Sequence, residues 1–95
     1  MAGHFNVNIL KLKYYIYILY SKLIDKYYIG QTYNIDLRLL RHNLKTTKYT
    51  KRTNDWKLVY SEIFETRADA MNREKYIKKM KSRKYIEGLI TGNTA

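Results

Sequence analysis

Read for its alternation of apolar and polar positions, the chain divides into six short segments. Over residues 13–20 β-branched and aromatic side chains crowd together, which predicts a strand; a polar turn over 21–25 leads to a second strand over 26–32, so an antiparallel hairpin is expected. Asn34 stands where an N-cap belongs, with Asp36 in the turn that follows, and the helix it opens is predicted to reach about His42. Residues 43–55 form a basic, threonine-rich connection without periodicity, and 56–64 predict a third strand. Thr66 with Asp69 three residues on has the spacing of a capping box, with Asp in place of the usual Glu, and starts a helix to about Lys81. Ser82 is placed to cap a short last helix that ends at Gly88 or soon after. This order predicts an α/β fold, a small sandwich with a mainly antiparallel three-stranded sheet flanked by helices. Its expected organisation is a disordered or cloning-derived N-terminal stretch over 1–12, one domain over 13–91 and a tail over 92–95.

Ninety-five residues suffice for one compact core and not for two. The apolar run over 14–20 is far shorter than the roughly 20 residues of a spanning helix, and its tyrosines suit a strand better than a signal peptide. With no cysteine, the chain has no disulfide, thiolate nucleophile or zinc–thiolate site, and a cytoplasmic location is the default expectation. Charge changes the picture most. Nineteen Lys and Arg against eight Asp and Glu leave +11, a field that attracts polyanions. Eleven tyrosines among those cations suit bases and phosphates together, although tyrosine is also simply a good strand residue.

Four spacings carry candidate chemistry. If the hairpin turn takes residues 21–24, Tyr20 faces Asp25 and Tyr17 faces Tyr28, with Cβ atoms about 5 Å apart on one side of the sheet. Gly30 shares that side and marks a place where a ligand or backbone can approach closely, while Ile16, Ile18 and Ile29 face a core. A packed tyrosine cluster is the plainer account. Arg38 and His42, four apart on the first helix, stack at the margin of its apolar side; they offer a phosphate clamp and a proton carrier, or else a solvated helix edge. Glu74 borders the inward stripe built on Ala70 and Ile77, and a carboxylate there needs a cation: a Mg²⁺-type ion, or a salt bridge to Arg73, Lys78 or Arg38. Two basic blocks follow. One holds Lys45, Lys48, Lys51, Arg52 and Lys57; the other runs from Arg73 to Lys84 with seven basic residues and one acid. They are solvated faces or rails for a polyanion, with Lys48, Lys51, Arg52, Lys78, Lys81 and Arg83 as the nucleic-acid contacts.

Taken together these residues resemble the GIY-YIG nuclease family, over nearly the whole chain from about Tyr14 to Ile90 and most closely its short standalone branch. The two naming tripeptides stand here as Tyr15-Ile16-Tyr17 and Tyr28-Ile29-Gly30; the helix from Asn34 to His42 carries the arginine and histidine, and Ala70-Met71-Asn72-Arg73-Glu74 the metal-binding glutamate. The sequence departs from the pattern at Tyr15, where the family name has glycine, at Gln31, where some members have lysine, and near Tyr85-Ile86-Glu87, where an asparagine has no clear counterpart. The resemblance implies a metal-dependent endonuclease acting on DNA, with no membrane or obligate protein partner. In it Tyr17 takes a proton from the attacking water, Tyr28 positions water or phosphate, Arg38 stabilises phosphoryl charge and His42 relays the proton. Glu74 holds Mg²⁺ or Mn²⁺. A tyrosine with a free pKa of about 10 costs roughly 4 kcal/mol to ionise at pH 7, which a guanidinium and a divalent cation offset. The alternative is a binding module of the same fold that cuts weakly or not at all.

Overall fold

The structure is a computed structural model that describes residues 12–44 and 50–92. Lys45, Lys48, the N-terminal stretch except Leu12, and residues 93–95 lie outside the described residues. The elements run β1 (Tyr14–Ser21), β2 (Lys26–Thr32), α1 (Ile35–Asn43), β3 (Lys57–Phe64), α2 (Arg67–Met80) and α3 (Arg83–Thr91). The three strands form one antiparallel sheet in the order β2-β1-β3. This is the small α/β domain expected from the pattern.

Each helix begins where its cap residue stands. Asn34 accepts from the Leu37 N–H at 3.0 Å, Thr66 from that of Asp69 at 3.1 Å and Ser82 from that of Tyr85 at 3.0 Å. These bonds satisfy donors that a helix start leaves open, each worth about 1 kcal/mol. The last helix passes Gly88 and stops at Gly92, whose φ of 82° is the left-handed conformation that glycine adopts without strain.

β1 is the central strand, and its alternation divides the interior in two. Ile16 and Ile18 face α2 and α3, packing with Ala70, Ile77 and Leu89. Tyr17 and Leu19 face the other way and pack with Trp56, Tyr28 and, from α1, Ile35 and Leu39. On the β3 side the register shifts between Ile18 and Leu19, so that Ile18 pairs with Tyr60 but Leu19 with Leu58. One extra residue, Val59, is accommodated there as a bulge.

The hairpin register differs from the expected one. Ser21 pairs with Lys26, Tyr20 with Tyr27 and Tyr17 with Gly30, so Tyr28 stands opposite Leu19 rather than Tyr17. The reason lies at Ser21, which remains in the strand. Its buried hydroxyl donates to Asp55 Oδ1 at 2.5 Å and accepts from the Ile24 N–H at 3.3 Å, and the turn moves on to Asp25, which takes a φ of 53°. The pairing is therefore displaced by two residues. A slip of two preserves every side chain's face, where a slip of one reverses them all.

Candidate active site

The new register sets Tyr17 across from Gly30, and this determines where the phenol lies. A Cβ added at Gly30 would stand 2.5 Å from the Tyr17 hydroxyl oxygen and 2.7 Å from Cζ. The ring thus lies across the glycine, which keeps ordinary backbone dihedrals and is required for space alone. Tyr28, the diagonal neighbour on the same face, has its ring centroid 6.2 Å from that of Tyr17 and 4.8 Å from that of His42.

His42 lies in the last turn of α1 and is fully buried, not marginal as its place on the helical wheel suggested. Its Nε2 is hydrogen-bonded to the Tyr17 hydroxyl at 3.0 Å and its Nδ1 to the Thr50 hydroxyl at 2.6 Å. The Thr50 carbonyl in turn accepts from Trp56 Nε1 at 3.0 Å. Trp56 is held through its backbone, which accepts from Asn43 Nδ2 at 2.9 Å and donates to Asn43 Oδ1 at 2.7 Å. A continuous chain therefore runs from Trp56 through Thr50 and His42 to Tyr17. Thr50, Trp56 and Asn43 escaped the sequence reading. The sole tryptophan and the asparagine after His42 were the available signals, but nothing in the sequence joins two residues 13 positions apart.

Burial, the largest influence, pushes the Tyr17 phenol up to about 12; hydrogen bonding from Arg38 and its charge act the other way, while the charges of Tyr28 and Glu74 push further up. Burial, then the Arg38 charge, lowers His42 to about 4. Near pH 7 the pair is accordingly a neutral phenol on a neutral imidazole. Arg38 Nε is buried without a hydrogen-bond partner, as is Gln31 Oε1, next to Gly30 in the sequence.

Glu74 arrives on α2, the helix that covers the opposite face. Its half-buried carboxylate accepts from Lys78 Nζ at 2.7 Å, the salt bridge of the three weighed that the structure contains. Arg73 is engaged instead by Glu62, with Nε at 2.9 Å and Nη2 at 3.0 Å, a bidentate clamp between α2 and β3. Among the described residues no group of three or more His, Cys, Asp or Glu gathers as a metal cage. A lone carboxylate with a displaceable lysine fits a hard, water-rich cation of the Mg²⁺ type, which commonly takes one or two carboxylates and completes its octahedron with water and phosphate.

The basic residues separate into two groups. Lys51 and Arg52 are exposed beside Thr50. Lys78, Lys81 and Arg83 line a groove of about 300 Å³ against Ile77 and Ile86. Arg83 is held by Asp25 Oδ1 at 2.5 Å and Glu87 Oε2 at 3.1 Å, over the Tyr27 ring. No helix among the described residues is long and apolar enough to cross a membrane.

The chain is thus a small α/β domain that carries a tyrosine pair against a glycine, an arginine and a histidine on the following helix and a glutamate on a later one. Residues 13–86 match the GIY-YIG catalytic domain, and the chain belongs to the GIY-YIG family, a family of nucleases that generally use divalent metals. Its relatives are small GIY-YIG proteins. It is 42% identical over 67 residues to a UPF0213 protein of Staphylococcus haemolyticus, covering 70% of this chain and 80% of that one. It is 36% identical over 81 residues to a UPF0213 protein of Staphylococcus saprophyticus, covering 84% and 98%. The solution structure of a UPF0213 protein from Bacillus halodurans superposes with a TM-score of 0.54 at 32% identity, covering 84% of each chain.

Proposed function

We propose that the domain over 13–91 is a metal-dependent endonuclease that hydrolyses phosphodiester bonds in DNA, with Tyr17 at the centre of proton transfer. The observation that carries the reading is the hydrogen-bonded chain Thr50–His42–Tyr17, buried beside Arg38 and within the influence of the Glu74 charge. A tyrosine that must shed a proton needs an acceptor in contact. His42 supplies one when Nδ1 carries its proton toward Thr50, leaving Nε2 open to the phenol. The attacking water passes its proton to the Tyr17 oxygen as the phenol passes its own to His42, so no free phenolate accumulates. That route matters here, because ionising a group with a pKa of about 12 at pH 7 costs roughly 7 kcal/mol.

Arg38 has a buried Nε–H with no partner. An unsatisfied buried donor costs about 1–3 kcal/mol, a deficit that a phosphoryl oxygen removes as its charge grows. Tyr28, packed on both Tyr17 and His42, orients water or phosphate. Glu74 would hold the Mg²⁺ or Mn²⁺, which when bound supplies charge for the leaving oxygen and further favours loss of the phenolic proton. Lys51 and Arg52, with Lys78 and Lys81, would track the strand, whereas Arg83 is already engaged by Asp25 and Glu87. The test is cleavage of plasmid and branched DNA with Mg²⁺ or Mn²⁺, wild type beside Glu74→Ala. Metal-dependent nicking that the variant lacks is expected. Absence of nicking by wild type, with DNA binding intact, would reduce the protein to a binding module.

A further inference from the structure

Tyr28 belongs to two places at once. Its ring packs on Tyr17 and His42, and it also lines a hollow of about 240 Å³ with Ile24, Lys26, Tyr27, Arg52 and Trp56, a hollow that neither Tyr17 nor His42 lines. Among the described residues the lining is two rings on the Tyr17 face, Tyr28 and Trp56, with two cations, one aliphatic side chain and the strand edge at Tyr27, whose own ring lies over Arg83 on the other face, and no acid. Tyr27 and Tyr28 are half-buried, Lys26 and Arg52 exposed, and Trp56 forms a nearly closed wall at 6% exposure. Trp56 and Tyr28 meet edge-on, with centroids 6.4 Å apart. The volume falls below the roughly 300–1,000 Å³ that takes a drug-sized ligand, and so suits a single flat ring system. Aromatic faces take any base by stacking, while the flanking cations suit the phosphates on either side of it.

A base paired within a duplex cannot enter such a hollow without leaving its stack, which costs a few kcal/mol, whereas an unpaired base enters without that loss. We propose that this hollow holds one unpaired base of the bound strand, next to the phosphate at Tyr17, and makes unpaired nucleic acid the preferred substrate class. The inference deepens the nuclease reading and rests on it for what happens at the phosphate, though not for the binding itself.

Trp56 is the only tryptophan in the chain and stands in the wall of the hollow, so its emission reports occupancy directly. The protein is titrated in chelator, where no cutting occurs, with a single-stranded deoxyoligonucleotide, its blunt duplex, the same strand with abasic positions, and a mononucleotide at equal nucleotide concentration. The intact single strand is expected to quench Trp56 and to bind roughly tenfold more tightly than the duplex at the same salt, from the stacking of one base. The abasic strand should lose both effects. Ile24→Phe, which fills the hollow from the turn, should lose the preference for the single strand while its melting curve remains cooperative. Unchanged emission with duplex bound at least as tightly as single strand overturns the proposal, as does an abasic strand or a mononucleotide that quenches like the intact strand. Quenching by wild type that never nicks DNA would retain the hollow and remove the nuclease. Metal-dependent nicking without quenching or strand preference would do the reverse.

Discussion

The two sides of the central strand are built on different physics. Toward α2 and α3, Ile16 and Ile18 meet Ala70, Ile77 and Leu89 in an aliphatic core. Toward α1, the buried side chains include Tyr17, Leu19 and Trp56 with His42 and Thr50, and most of these make hydrogen bonds. Apolar packing is roughly additive in buried area, so a core of the first kind degrades in proportion to what is removed. A buried polar chain behaves otherwise, since each member that loses its partner bears the full desolvation penalty. The aliphatic side gives the sheet its stability. The polar side places two titratable groups where neither carries charge near pH 7.

The largest expected effect separates the two. Tyr17→Phe should lower cleavage by roughly 10²–10⁴-fold, the range of general acid–base catalysis, with DNA affinity nearly unchanged. Its stability loss should be only about 1–3 kcal/mol, from losing the buried hydrogen bond between the phenol and His42 Nε2. Single-turnover rates beside denaturant titrations measure both. Ile77→Ala, on the dry side, should show the opposite division: about 2–5 kcal/mol of stability lost and a normal rate per folded molecule. Comparable rate losses in the two variants would mean that the site has no chemistry separable from the fold.

Acid sharpens the comparison next. His42 has its pKa lowered from 6.5 to about 4 by burial and by Arg38. Below the unfolded value the unfolded chain takes up a proton that the folded chain refuses. The stability tied to neutral His42 is therefore present above about pH 6.5 and is lost as pH falls toward 4, by roughly 3 kcal/mol. Urea unfolding across that window should show the slope in wild type and a flatter one in His42→Gln. Equal slopes would show that the imidazole charges freely inside the fold.

Gly30→Ala probes the same side more gently. The added methyl must displace the Tyr17 ring, whose hydroxyl oxygen lies 2.5 Å from the new carbon. Overpacking of this kind costs about 1–3 kcal/mol. Because the phenol moves with the ring, cleavage should fall as well, whereas a variant with full activity would show that Tyr17 has room elsewhere.

The local features of this protein were legible and the long-range ones were not. Asn34, Thr66 and Ser82 cap their helices because a cap is decided within three residues of sequence. The faces of Tyr17, Tyr28 and Gly30 followed from strand alternation, which a two-residue slip leaves intact. The register itself depended on Ser21 bonding Asp55, 34 residues away. The burial of His42 depended likewise on Thr50 and on a tryptophan that holds Thr50 in place. Helical periodicity assigned Glu74 to a border but could not choose Lys78 over Arg73, since the choice turned on Glu62 from another strand claiming Arg73.

The smallest effect concerns the basic residues, whose two groups lie in different surroundings. Lys51 and Arg52 are exposed beside Thr50, on the side of Tyr17, and Arg52 also lines the hollow at Tyr28. Arg83 belongs to the groove against Ile77 and Ile86, and its guanidinium already serves Asp25 and Glu87. A phosphate that contacts Lys51 or Arg52 releases a counterion for each contact, so the slope of log affinity against log salt should fall by nearly 2 for duplex DNA when both are alanine. Arg83→Ala should leave the slope unchanged, because a guanidinium bound to two carboxylates has little charge left to exchange for a phosphate. Equal reductions in the two variants would place the strand along both sides of β2, and the sheet edge at Lys26 and Tyr27, which lines both depressions, would then be the track between them.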